Sequence, residues 1–392
     1  MPDMRILVAS GSFKDVFNPI EATEAINCAL SSENETVLLP FCDGGEYTFE
    51  VLKHSFPHYQ EITATNTMNP YGVMKDVSYL INGDEAHLVS SSILRLYPVE
   101  DKFKNPLMLT DYGYGQMIAD AIQKGCRKLF LYIGGVSTVC CGLGLIQALG
   151  AKLYTKENQL IFAPCMGMDM FRVNRIDTTE LKLPDIEIQV VADGNSKVNA
   201  LPGITALKVG KSFSEQKEKI VSELMNGIEN VICLTGISPT KDFTGAAGGL
   251  LFGLEQVFPD ICYTLGGLFF NRVFGLEEKI KEVDLVITGE GRYDNTADGK
   301  GPCVITRLAK KHGKPAILVC GQHEKSKIPV YTGGIVDCRG NELFQREGIT
   351  KIITGQEYYD EIELPQLYED CISLFRKQTP VLLKQLFSRA KL

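Results

Sequence analysis

The sequence predicts an α/β protein of two domains, one on a parallel Rossmann- or flavodoxin-like sheet and the other a mixed α/β domain. Three observations carry this. Short β-branched runs recur along the chain, each leading into a glycine turn and then a stretch with apolar residues at helical spacing. That alternation builds parallel sheets from strand–helix–strand units. One stretch, Ile62 to Val89, departs from it, with β-like runs separated only by turns, as antiparallel strands are. And 392 residues exceed what one hydrophobic core usually holds.

Taken in order, Arg5 to Ser10 predicts a buried strand ending in Gly11-Ser12-Phe13-Lys14, with a helix over Glu21 to Leu30 after Pro19. Thr36 to Leu39 is a second strand, running into Asp43-Gly44-Gly45-Glu46-Tyr47 and a helix from Thr48 to His54. Asn69-Pro70-Tyr71-Gly72 and Asn82-Gly83 are turns of the antiparallel stretch. Tyr112 to Gly115 reads as a turn before a helix from Gln116 to Lys124. Leu129 to Ile133 is a strand opening into Gly134-Gly135-Val136-Ser137-Thr138-Val139-Cys140-Cys141, then a helix to Leu149. Glu187 to Ala192 is a strand ending at Asp193-Gly194-Asn195, and Val231 to Leu234 reads as another. Gly245 to Gly253, rich in small residues, reads as a tightly packed helix. Leu285 to Thr288 is a strand that Gly289 and Gly291 break, leaving Glu290, Arg292, Asp294 and Asp298 in a glycine turn. A helix from Pro302 to His312, a strand from Lys314 to Val319 and a helical tail from Gln366 to Leu392 complete the chain. Residues 1–60 with 286–392 are expected to form one discontinuous domain and residues 61–285 the second.

A net charge of −8 and the absence of a run of lysines and arginines argue against a nucleic-acid partner. Lys208 to Lys219 mixes both signs and reads as a solvated helix face. Twelve cysteines are scattered without a Cys-x-x-Cys pair, which speaks against zinc or a disulfide framework. Cys126, Cys233 and Cys320 lie in or beside apolar runs and read as small core residues, as does the pair Cys140-Cys141. No apolar run reaches about 18 residues and no signal segment is evident, so a cytoplasmic protein without membrane contact is expected, monomeric or homodimeric.

The glycine turns together resemble the bacterial type 1 glycerate kinase family from about Arg5 to Gln322. Ser12-Phe13-Lys14 resembles that family's Asp-Ser-Phe-Lys, and Asp43-Gly44-Gly45-Glu46 with Thr48 its Asp-Gly-Gly-Glu-Gly-Thr. Asn105-Pro106-Leu107 with Tyr112-Gly113 and Gly115 resembles its Asn-Pro-Leu…Tyr-Gly-x-Gly. Gly134-Gly135, Thr138 and Gln147 to Gly150 resemble its Gly-Gly-Ser-Ala-Thr-Asn-Asp-Gly-Gly region, and Gly245 to Gly249 and Thr288 to Arg292 with Asp294 resemble the family's corresponding stretches almost letter for letter. The resemblance implies ATP-dependent phosphorylation of D-glycerate, or of a related small hydroxy acid, with magnesium, on a two-domain fold with a cleft between the domains. The chain departs from the pattern at Gly11, Tyr47, Val139-Cys140, the segment after Asp193 and Asn295-Thr296-Ala297. These departures keep open a non-catalytic, ligand-binding relative as the alternative. If the Val139-Cys140 turn touches the acceptor, they also imply a less polar hydroxy acid.

Phosphoryl transfer needs cations on the phosphates, carboxylates on magnesium and a group that takes the hydroxyl proton. Lys14, Asp193 and Asp294 are the expected catalytic residues, and Asp193, Glu290 and Asp294 the expected metal ligands. Substrate or phosphate binding is expected from Ser12, Asp43, Gly44, Gly45, Glu46, Gly134, Gly135, Ser137, Thr138, Gly289, Glu290, Gly291 and Arg292. The carboxylates have a second reading as helix caps, and Arg292 as half of a structural ion pair with Glu290 or Asp294.

Overall fold

The fold is that of a computed structural model, which describes residues 4–13, 17–28, 30, 34–95, 104–198, 211–293, 300–323 and 335–337. The expected helical tail from Gln366 lies outside them. The chain divides into two compact units, Met1–Asp43 with Gly266–Leu392, and Gly44–Leu265.

The first unit carries β1 (Arg5–Ser10), β2 (Glu35–Leu38), β12 (Leu285–Tyr293), β13 (Ala316–His323) and β14 (Ile335–Asp337) in the order β14-β13-β12-β1-β2. Every pairing is parallel. Read from β2, the unit's own strands run second, first, third, fourth, fifth, the flavodoxin-like order. Ile6, Leu7, Val8, Leu285, Val286, Ile287 and Leu318 are fully buried, each burial contributing about 1.5–3 kcal/mol. Both faces of such a sheet are covered, which is why these strands read as continuous apolar runs. The helices are α1 (Pro19–Cys28), α8 (Gly266–Val273), α9 (Leu276–Lys281) and α10 (Gly301–Lys311). Asn18 starts α1: its Oδ1 accepts from Ile20 N and Glu21 N, and Asn18 N donates back to Glu21 Oε2, a reciprocal capping arrangement.

The second unit carries a mixed sheet of β3 (Gln60–Met68), β4 (Met74–Asn82), β5 (Glu85–Val89), β6 (Lys128–Tyr132), β10 (Glu187–Ala192) and β11 (Ile261–Leu265), ordered β11-β10-β6-β5-β4-β3. β5, β6, β10 and β11 are parallel. β3, β4 and β5 pair antiparallel, as the Asn82-Gly83 turn predicts. A small antiparallel sheet holds β7 (Lys152–Tyr154), β8 (Leu160–Ile161) and β9 (Arg175–Asp177). Its helices are α2 (Thr48–Ser55), α3 (Ser91–Leu94), α4 (Tyr112–Gln123), α5 (Leu143–Ala148), α6 (Lys217–Thr235) and α7 (Leu250–Val257). Leu88, Leu129, Leu131, Ile188 and Val190 pack with Tyr114, Ile118, Leu145, Leu224 and Leu250 in its core.

Four expectations are corrected. β12 does not stop at Thr288 but runs through both glycines to Tyr293. Gly113 and Gly115 lie inside α4, where added Cβ atoms would sit 1.8 Å from Met68 O and 2.2 Å from Leu145 O; they permit close packing rather than a turn. Val231 to Leu234 is the end of helix α6, whose buried Ile220, Leu224, Ile228 and Val231 follow the helical period; Cys233 falls on its exposed side. Gly245 to Gly249 is not regular helix: Ala247 and Gly248 have φ of 51° and 65°, and a Cβ at Gly248 would lie 1.8 Å from Thr138 O. Regular helix begins only at Leu250. Cys126, Cys140 and Cys141 are buried thiols as expected. Among the described residues no helix is long and apolar enough to cross a membrane.

Candidate active site

In the first unit the strand order reverses between β1 and β12, and ligands of open α/β sheets bind at the carboxyl ends flanking such a reversal. There Gly11 N donates to Gly289 O (2.8 Å) and Gly291 N donates to Ser12 O (3.0 Å), so both expected glycines and Ser12 lie in one backbone ladder. A Cβ at Gly289 would lie 2.4 Å from Ser10 Oγ and 3.1 Å from the Phe13 ring. Phe13 and Phe17 exchange backbone hydrogen bonds of 2.9 Å on either side of the segment that bears Lys14. Glu290 is half-buried and in register with Cys320, and Arg292 is in register with Gln322. Both are strand residues, which corrects their expected place in a turn. Lys14 and Asp294, and the side chain of Arg292, lie outside the described residues. Asp43 is half-buried after β2. A Cβ at Gly266 would fall 1.6 Å from Asp43 O, so only glycine fits where α8 begins.

In the second unit the glycine turns meet. Ile133 N still donates to Val191 O (3.0 Å), but Gly134 N leaves the sheet and donates to Gly44 O (3.0 Å). A Cβ at Gly134 would lie 2.6 Å from Gly45 Cα and 2.8 Å from Asp193 Cγ, and one at Gly135 (φ 72°) 3.0 Å from Glu46 Cγ. So Gly44, Gly45, Glu46, Gly134, Gly135 and Asp193, drawn from three separate stretches, form one cluster. Asp193 is half-buried there. Ser137 Oγ donates to Leu94 O (2.7 Å). Thr138 and Thr48 are buried, and their hydroxyl oxygens lack hydrogen-bond partners among the described residues.

Three residues that no motif singled out hold this cluster. Ser90 Oγ donates to Gly134 O (3.1 Å), Ser91 Oγ to Gly45 O (3.5 Å), and Arg95 Nε lies 3.3 Å from Glu46 Oε1. For the two serines a signal was available: Ser90-Ser91-Ser92 follows the carboxyl end of a strand, as the glycine turns do. Apart from the cluster, Asp111 is fully buried and accepts from Gly142 N (3.0 Å) and Leu145 N (2.9 Å), securing the start of α5. Burial pushes its carboxyl up to about 6, although those backbone donors pull it the other way.

Val139 and Cys140 are 4% and 0% exposed, and Cys140 Sγ donates to Leu109 O (3.0 Å). Their side chains belong to the interior, so their apolar character reflects packing and gives no ground for a less polar acceptor. Burial also raises both Cys140 and Cys141 thiols well out of the thiolate range. Among the described residues no group of three or more His, Cys, Asp or Glu side chains is placed to hold a metal.

Residues 6–342 match the model of the Glycerate kinase family. The chain is 31% identical over 358 residues to the glycerate 2-kinase of Escherichia coli K12, covering 85% of this chain and 89% of that protein. It is 27% identical over 348 residues to the glycerate kinase of Halalkalibacterium halodurans, covering 84% and 88%. A crystal structure assigned to glycerate kinase 2 of Salmonella typhimurium LT2 superposes with a TM-score of 0.71 at 23% identity over 100% of both chains, which supports the fold.

Proposed function

The chain belongs to the glycerate kinase family, and on that premise we propose that it transfers the γ-phosphate of ATP to a hydroxyl of D-glycerate, the 2-hydroxyl being the position named for the E. coli relative. The observation that carries this to particular residues is the cluster of Gly44, Gly45, Glu46, Gly134, Gly135 and Asp193. Glycines there bring backbone N–H groups close to an anion, and the buried Thr138 hydroxyl, four residues past Gly134, is a further candidate donor. Asp193 takes the proton of the attacking hydroxyl as the new O–P bond forms and the bond to the β-phosphate oxygen breaks. Lys14 places positive charge on the transferring phosphate. Ser12, Gly289 and Gly291 supply backbone groups at the end of β1 and β12, and Arg292 is suited to a bidentate grip on a carboxylate or phosphate.

Magnesium is held in kinases by one or two carboxylates, with phosphate oxygens and water completing its shell. In the second unit the half-buried carboxylate of Asp193 suits that role; in the first, the family motif nominates half-buried Glu290 and Asp294. When bound, the ion neutralises phosphate charge. The relatives' names give no support to the non-catalytic alternative.

The test is ADP formation followed with and without D-glycerate, with the product identified by phosphorus NMR. Glycerate-dependent ADP and a phosphoglycerate product are expected; ADP release indifferent to D-glycerate overturns the reading. Asp193→Asn keeps the shape and removes the base. Its turnover is expected to fall on the order of a hundredfold, with a melting temperature close to the parent's.

A further inference from the structure

Tyr47 is a non-glycine residue with φ 65°, in the left-handed region that β-carbons disfavour. It sits where the glycine turn passes into α2, and its side chain makes no helix cap. What lies over its ring is Arg95, whose guanidinium carbon is 5.8 Å from the ring centroid, within cation–π range. The same guanidinium pairs with Glu46, and the two side chains are only 26% and 17% exposed. A pair so shielded is screened less by solvent and salt than a surface ion pair. The segment that bears Arg95 is itself fixed: Ser90 and Ser91 bond to the carbonyls of Gly134 and Gly45, and Leu94 O accepts from both N and Oγ of Ser137. Gly135 passes close to Glu46, where a Cβ would lie 3.0 Å from its Cγ.

From this geometry we infer that Arg95 is a positioning residue of the acceptor site: resting on the Tyr47 ring, it holds the Glu46 carboxylate in the one orientation that accepts a hydrogen bond from a hydroxyl of the acid. A carboxylate is an acceptor only, so Glu46 suits a hydroxyl and rejects the acid's own carboxylate. The inference rests on the kinase reading above.

The experiment measures kcat, KM for D-glycerate and KM for ATP in the full chain and in Arg95→Met, Arg95→Lys, Glu46→Gln and Tyr47→Gly, with melting temperatures alongside. Tyr47→Gly is the discriminating variant. It relieves the left-handed backbone, so a purely structural role predicts an equal or higher melting temperature and an unchanged KM for D-glycerate. The inference predicts a KM for D-glycerate raised severalfold with KM for ATP unmoved. Arg95→Met is expected to lower kcat/KM for D-glycerate roughly ten- to a hundredfold, the scale of a misplaced contact, and Arg95→Lys to recover part of it. The double variant Arg95→Met/Glu46→Gln should be no worse than Glu46→Gln alone, since the two act as a unit. Parental KM for D-glycerate in both Tyr47→Gly and Arg95→Met overturns the inference while leaving the kinase reading intact. If the parent shows no turnover, calorimetric titration with D-glycerate decides. Binding that Arg95→Met weakens upholds the inference and sinks only the catalytic reading; a parent that neither binds nor phosphorylates the acid overturns both.

Discussion

Gly289 and Gly291 in the first unit lie inside a nine-residue strand, whereas Gly134 and Gly135 in the second lie just past a strand that has ended. All four follow β-branched or aromatic-rich apolar runs, and the local sequences look alike. The difference is in what the neighbours offer. Beside β12, β13 continues to His323 and Ser12 presents its carbonyl to Gly291 N, so the ladder keeps going. Beside β6, Gly44 O captures Gly134 N and draws the backbone away from the sheet. A glycine after an apolar run therefore reports that a β-carbon does not fit. Whether the chain turns there depends on the next available hydrogen-bond partner.

The largest effect is expected from Gly134→Ala, which sharpens the comparison on its functional side. The new methyl would meet Gly45 Cα at 2.6 Å and the Asp193 side chain at 2.8 Å. Both are turn atoms of the proposed site, and displacing them by about 1 Å is expected to lower kcat/KM on the order of a hundredfold, with a stability loss of about 1–3 kcal/mol. Steady-state kinetics and denaturant unfolding measure the two. A variant as active as the parent would mean that this turn does no more than pack.

Gly289→Ala probes the strand side. Its methyl would lie 2.4 Å from Ser10 Oγ, and the expected cost is an overpacking penalty of about 1–3 kcal/mol. Because the clash is with a hydroxyl, Ser10→Ala in the same chain should restore part of that stability. If the double variant is no more stable than Gly289→Ala alone, the glycine is needed for backbone conformation after all and the comparison breaks.

The smallest effect is the response to acid. His87 is buried and stacked between Tyr59 and Phe130, at 4.8 and 4.7 Å between centroids, with Nδ1 2.9 Å from the Tyr132 hydroxyl. Burial, and then the charge of Lys128, lowers its pKa to about 3. The folded value is below the unfolded value of about 6.5, so its contribution is present above about pH 6.5 and is lost as pH falls toward 3. For one proton the slope cannot exceed about 1.4 kcal/mol per pH unit. Asp111, with its folded pKa raised to about 6, runs the other way: its contribution is full below about pH 4 and is lost as pH rises through 6. His87→Phe should flatten the acid side of a melting-temperature profile between pH 6.5 and 5, while an unchanged profile would show that another group sets it.

Much of this organisation can be read from residues alone. β1 and β10 coincide with their predicted limits because each is a mainly apolar run, broken in β10 only by Gln189, flanked by charge on one side and a polar turn on the other. Asp193 falls where predicted because it follows such a run, and so do the turns of the antiparallel stretch. Alternation of strand and helix is a property of spacing and needs no partner to be seen. What spacing could not decide is where a neighbour intervenes. The length of β12 and the early start of α4 were each set by contacts with residues far away in sequence, whereas the helical state of Val231 to Leu234 follows a period that begins at Ile220. The same holds for Arg95: an arginine after Leu94 carries no signal until the fold brings Glu46 and Tyr47 beside it. Local pattern fixes which backbone states are cheap, and tertiary packing chooses among them because a buried hydrogen bond or an avoided clash outweighs a propensity difference of less than about 1 kcal/mol.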